Sequence, residues 1–172
     1  MTDSNLFEAI RIPADLLIAM DWRPYHFLFQ PVHFIVRILH ILSMAAFFGF
    51  IGLLDIRLIG GFKVFSLRTL EAALRPWLYS TFATATVTGV LLFFYDPVRI
   101  GSRAFWVPKL ISIALGLGNV VFLHRINYID RFEAGDRRIR YAGMFSLAMW
   151  TLALVFACLN AEEAPKLLLL GQ

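Results

Sequence analysis

Four stretches of the chain are apolar for long enough to cross a bilayer, and most polar residues are gathered between them. A spanning helix takes ~20 mostly apolar residues. The pattern predicts spans over 32–54, 76–94, 106–123 and 141–159. Thr81, Thr84, Thr86 and Thr88 are tolerable in the second span, because a threonine hydroxyl can bond back to its own helix. Pro108 falls in the first turn of the third span, where a missing N–H costs little. Leu6 to Trp22 is apolar only in patches, broken by Arg11, Pro13, Asp15 and Asp21. Such a stretch is expected to lie in the interface. The predicted fold is all-α: an integral membrane four-helix bundle over 32–160, an N-terminal interfacial amphipathic segment over 1–31, and a C-terminal tail over 161–172. The start of the chain lacks the cationic region of a cleavable leader, so the first span is expected to act as the targeting signal.

Composition supports this reading. Hydrophobic residues make up 59% of the chain and charged residues 16%, with a mean hydropathy of +0.71. A water-soluble domain is nearer half apolar and a quarter charged. A domain of this size cannot hide such an excess in its core, so the partner of the apolar surface is the lipid bilayer. The net charge of +4 could suggest nucleic acid in a soluble protein. Here the cations flank apolar runs, and no nucleic-acid partner is expected. The connections after spans one and three carry Arg57, Lys63, Arg68, Arg75, Arg125, Arg131, Arg137, Arg138 and Arg140. The opposite side has Arg11, Arg23, Arg99, Arg103 and Lys166. Nine against five predicts that the first group is cytoplasmic. Both termini are then periplasmic, in a bacterial inner membrane. The single cysteine, Cys158, allows no internal disulfide and reads as a small packing residue.

Ionisable groups inside a span cost ~3 kcal/mol or more unless paired, hydrated or able to snorkel. His33, Arg37 and His40 recur at i, i+4 and i+7, which predicts one helical face. Lys109 lies one turn into span three, entering from the same side, and is expected at the depth of His40. Polar groups at the neighbouring ends (Tyr95, Asp96, Asn160, Glu162 and Glu163) point to an outward-facing pocket in the bundle core, where such folds build cofactor sites. His124, at the far end of span three, reads as interfacial. Asp55 and Arg57 read as a structural pair, with each other or with the basic loops. A neutral imidazole between helices can ligate haem iron, bind copper or zinc, relay a proton, or simply hydrogen-bond a neighbouring helix. Two cations beside it suit an anionic cofactor such as haem b, whose propionates need partners. They suit a bare cupric ion less well.

The stretch from His40 through Phe47-Phe48-Gly49 to Asp55-Ile-Arg57-Leu58 resembles the first helix of bacterial membrane proteins related to the CopD copper-resistance family and to HemJ-type protoporphyrinogen oxidases. Pro76, Thr88-Gly89 and the Phe105-Trp106-x-x-Lys109 opening of span three extend the resemblance over 36–159. By it, His40 stands for the histidine implicated in haem binding and Lys109 for the third-helix lysine. Phe47 stands where tryptophan is usual, and Asn119 roughly where a further histidine is found. The expected site is therefore His40 as ligand, with Arg37, Lys109 and His33 around it. The expected role is haem-dependent redox chemistry or electron transfer, with a quinone or porphyrin-like small molecule as reaction partner. One alternative is copper handling through His26, His33, His40, Met20 and Met44. Another is a non-catalytic subunit of a larger membrane complex or homo-oligomer.

Overall fold

The computed structural model describes residues 12–22 and 26–161. Among them are seven helices and no strand: α1 (Ala14–Ala19), α2 (His26–Ile59), α3 (Leu67–Tyr95), α4 (Pro97–Gly101), α5 (Trp106–Arg125), α6 (Tyr128–Glu133) and α7 (Arg137–Ala161). The helices α2, α3, α5 and α7 are long and apolar enough to cross a membrane. The outward face of α2 carries Ile35, Ile38, Ile41 and Leu42, all more than half exposed. With no water-averse core to receive these side chains, lipid is their solvent. The chain is a multi-pass membrane protein.

All four spans are longer than the apolar pattern predicts. The second starts at Leu67 rather than Pro76 because Ser66 caps it, its hydroxyl accepting the Thr69 N–H at 3.0 Å. A capped helix start satisfies backbone donors that would otherwise be orphaned. The added turns are held by Glu71 and Arg75 four residues apart. The first span extends to Ile59, where Gly60 at φ +116° turns the chain and the Gly61 N–H closes on the Ile56 carbonyl at 2.8 Å. Glycine adopts this left-handed conformation without steric cost.

The backbone packing is a row. α3 packs on α2, α2 on α7, and α7 on α5, while α3 and α5 meet chiefly through side chains, Phe93 stacking on Trp106. Two clusters hold the row together. One, toward the connections 60–66 and 126–136, joins Leu54, Leu58, Leu67, Leu123, Tyr128 and Ile139. The other is the aromatic knot of Phe47 and Trp150 with Phe82 against them. The α2–α7 crossing is close at Gly143, where a Cβ would come within 2.8 Å of the Leu58 Cβ.

The end carrying α1, α4 and the close of α7 is called the terminal side here, and the opposite end the basic side. At the terminal side α1 folds against α4. Leu17 is fully buried in a niche that exists because Gly101 has no side chain; a Cβ there would meet Leu17 Cδ2 at 2.5 Å. The Trp22 N–H donates to the Phe94 carbonyl at 3.2 Å, and the Trp22 ring stacks on that of Phe94 with centroids 5.0 Å apart. Within the expected interfacial segment, 14–19 is thus a short helix seated on the bundle. Residues 1–11, 23–25 and 162–172 lie outside the described set.

Candidate functional site

Toward the terminal side, α2, α3, α5 and α7 line a cavity of about 640 Å³. Pockets for cofactors and small molecules typically measure ~300–1,000 Å³. Helix α2 supplies its back wall with His40, Met44 and Phe47. Helix α3 contributes Ala85, Thr86 and Gly89, α5 contributes Trp106 and Lys109, and α7 contributes Trp150, Ala153 and Asn160. The walls are apolar and aromatic, and Phe93 stacks on Trp106 with centroids 5.0 Å apart.

His40 is held by the neighbouring helix. Its Nδ1 lies 3.0 Å from the Ala85 carbonyl and 3.1 Å from Thr88 Oγ1. The Thr88 hydroxyl gives its own proton to the Thr84 carbonyl at 2.6 Å, so both neighbours of Nδ1 act as acceptors. That arrangement assigns the ring proton to Nδ1 and leaves the Nε2 lone pair free. Fixing one ring nitrogen is how proteins orient a histidine for ligation through the other. Gly89 makes room for the ring: a Cβ there would sit 2.9 Å from His40 Cε1. Thr88-Gly89 thus has a concrete role, an acceptor and a space beside the same imidazole.

Lys109 lines the same cavity, with its ammonium over the Trp106 ring, 5.4 Å from the centroid. Asn160 closes the terminal end, where its Nδ2 donates to the Ile100 carbonyl at 3.5 Å, Arg103 donates to its main-chain carbonyl, and its Oδ1 is buried without a partner.

The structure therefore brings His40 and Lys109 together. It does not bring Arg37 or His33 with them. Arg37 is exposed and lies off the cavity wall. His33 packs edge-on against Tyr95, with ring centroids 4.9 Å apart, and lies outside the cavity. Asn119 turns away to donate to the Ala142 carbonyl at 3.1 Å. Among the described residues no three His, Cys, Asp or Glu side chains converge as metal ligands. Glu162 and Glu163 lie outside the described residues, as does the side chain of His26.

No protein family, curated protein or solved structure matches this chain.

Toward the basic side, beyond the knot of Phe47, Phe82 and Trp150, lies a second, smaller pocket of about 110 Å³. The sequence reading did not anticipate it. Asp55 and Arg57, read from sequence as pairing with each other or with the basic loops, part company there, and Arg57 reaches the loop side. Asp55 faces the pocket, 2% exposed. Arg57 Nε donates to the Phe65 carbonyl at 2.7 Å, and its guanidinium lies over the Phe132 ring at 4.9 Å. Glu71, 5% exposed, is held by Arg75 through two bonds of 2.7 and 2.9 Å. His124, read as interfacial, is exposed at the pocket rim with Nδ1 2.9 Å from the Val120 carbonyl. Tyr128, in the loop-side helix α6, is buried beside Glu71. Burial first, and that carboxylate second, push its phenol well above the usual tyrosine range.

Proposed function

We propose that this chain is a bacterial inner-membrane protein that binds b-type haem in the terminal-side cavity and serves a redox or electron-transfer role. The observation that carries the reading is the free Nε2 of His40, presented to a large aromatic cavity by an imidazole whose Nδ1 is already engaged. The donor set fits a flat, amphiphilic, anionic group. His40 would supply the axial nitrogen, Lys109 would take a propionate, and the Trp106 and Phe93 rings would line the macrocycle. Haem would supply a one-electron couple at that position. The protein's own contribution is to fix the ligating nitrogen, neutralise a carboxylate and exclude water with aromatic walls. Among the described residues, His40 is the histidine that would hold the group. By the distribution of Lys and Arg, the cavity faces the periplasm and the basic side the cytoplasm.

The copper reading lacks a converging ligand set among the described residues, and Lys109 would repel a bare cation. Absorption spectroscopy tests the proposal. Protein purified after haem-replete expression is expected to show a Soret band that sharpens on reduction, and His40→Ala to lose it while remaining helical. Absence of the band from the wild type, or its survival in His40→Ala, would overturn the assignment.

A further inference from the structure

The basic-side pocket holds a carboxyl group for which the haem reading has no use. Asp55 lies in the middle of the fold's packing, 2% exposed, and its Oδ2 has no hydrogen-bond partner. Its side-chain hydrogen-bond neighbour is the hydroxyl of Ser146, 1% exposed on α7. No cation answers it among the described residues. Arg75, which lines the same pocket from α3, is held through Nε and Nη2 by the two carboxylate oxygens of Glu71. Arg57, two residues along α2, is turned toward Phe65 and Phe132. The other polar groups facing the pocket are Tyr79 from α3, His124 from α5 and Tyr128 from α6.

A buried carboxylate with an unanswered oxygen is costly, and such groups resolve the cost by pairing or by taking a proton. Pairing is closed off here by the Glu71–Arg75 bond. The pocket volume of about 110 Å³ has space for about three waters at ~30 Å³ each. Its rim carries the half-exposed Arg75, near the start of α3, and the exposed His124, in the last turn of α5, both at the basic-side ends of their helices. Its far wall is the knot of Phe47, Phe82 and Trp150, with centroids 4.8 to 6.2 Å apart, which separates it from the cavity of His40.

We propose that Asp55 is a proton-exchange site, loading and releasing a proton through water in a half-channel that opens on the basic side and ends at the aromatic knot. On loading, an O–H bond forms at the carboxyl as a hydronium in the pocket gives up its proton. On release, the same bond breaks and the proton returns to water. No electrons move, and no cofactor is required, so the proposal stands apart from the haem reading.

Infrared difference spectroscopy of the purified full-length protein in detergent, recorded as pH is raised across its stable range, tests it. The wild type is expected to show the C=O stretch of a protonated carboxylic acid in an apolar setting. The band should shift in D₂O and give way to carboxylate bands as pH rises. Asp55→Asn should lose it, and Glu71→Gln should keep it. Ser146→Ala, which removes one small hydroxyl, should move its frequency, and this assigns the band even if Asp55→Asn does not fold. A wild type without the band, a band indifferent to pH or D₂O, persistence in folded Asp55→Asn, or an unmoved band in Ser146→Ala would each overturn the proposal.

Discussion

The two hollows of this protein share a wall and differ in almost everything else. One continuous seam of α2 runs from His40 through Met44, Phe47 and Ile51 to Asp55, lining the large cavity at one end and the small pocket at the other. His40 and Asp55 are fifteen residues apart, or ~22 Å along the helix axis. Near the terminal side, the polar group on the seam is tied down at one atom and open at another, inside a space large enough for a cofactor. Near the basic side, the polar group is more deeply buried and the space is about 110 Å³. The difference teaches that an ionisable residue in a span is interpretable only with the volume it faces. A fixed imidazole before a broad aromatic chamber suits ligation, whereas an unanswered carboxyl before a narrow, rim-polar pocket suits proton traffic.

The largest expected effect comes from removing the partition between the hollows. Trp150 is 5% exposed, packs edge-on to Phe47 at 4.8 Å, and sits against Gly116, where a Cβ would lie 3.0 Å from the indole. Trp150→Ala should destabilise the folded protein by ~3–5 kcal/mol, measured by denaturant unfolding in detergent, and should join the two spaces. A loss below ~1 kcal/mol would mean that the knot is not a structural partition. A smaller effect, confined to the terminal side, is expected from Gly89→Ala. The new methyl, 2.9 Å from His40 Cε1, displaces the ring from its Ala85 and Thr88 acceptors. On the haem reading, retention of the cofactor should fall ~10–100-fold, the range for changes behind a ligand, with the Asp55 infrared band unmoved. The smallest effect is expected from Arg37→Gln. An exposed residue off the cavity wall should alter stability by ~0.5 kcal/mol or less and leave the Soret band in place. Loss of the band would return Arg37 to the site.

The four spans were legible because lipid-facing helices are written as long apolar runs, and no competing element produces that signal. Their starts were less so. Ser66, Glu71 and Arg75 look like loop residues by hydropathy, yet a cap and an i, i+4 ion pair make them the opening turns of α3. His40 and Lys109 stood out because each breaks an apolar run. Arg37 was misplaced by helical arithmetic that treats i, i+4, i+7 as one face. The buried seam passes through Val36 and Ser43, which puts Arg37 just outside it. Asp55 was paired with Arg57, although residues two apart on a helix point to different sides. That geometric rule was available from sequence alone and would have left Asp55 facing inward by itself. The basic-side pocket was not readable, since it depends on which helices are neighbours.

The sparse packing between α3 and α5 has a consequence for the chamber beside His40. Its α3 and α5 walls are joined by little beyond the ring stack of Phe93 on Trp106, so they keep their spacing chiefly through α2 and α7. A change in how those two inner helices cross is therefore felt as a change in the chamber's width.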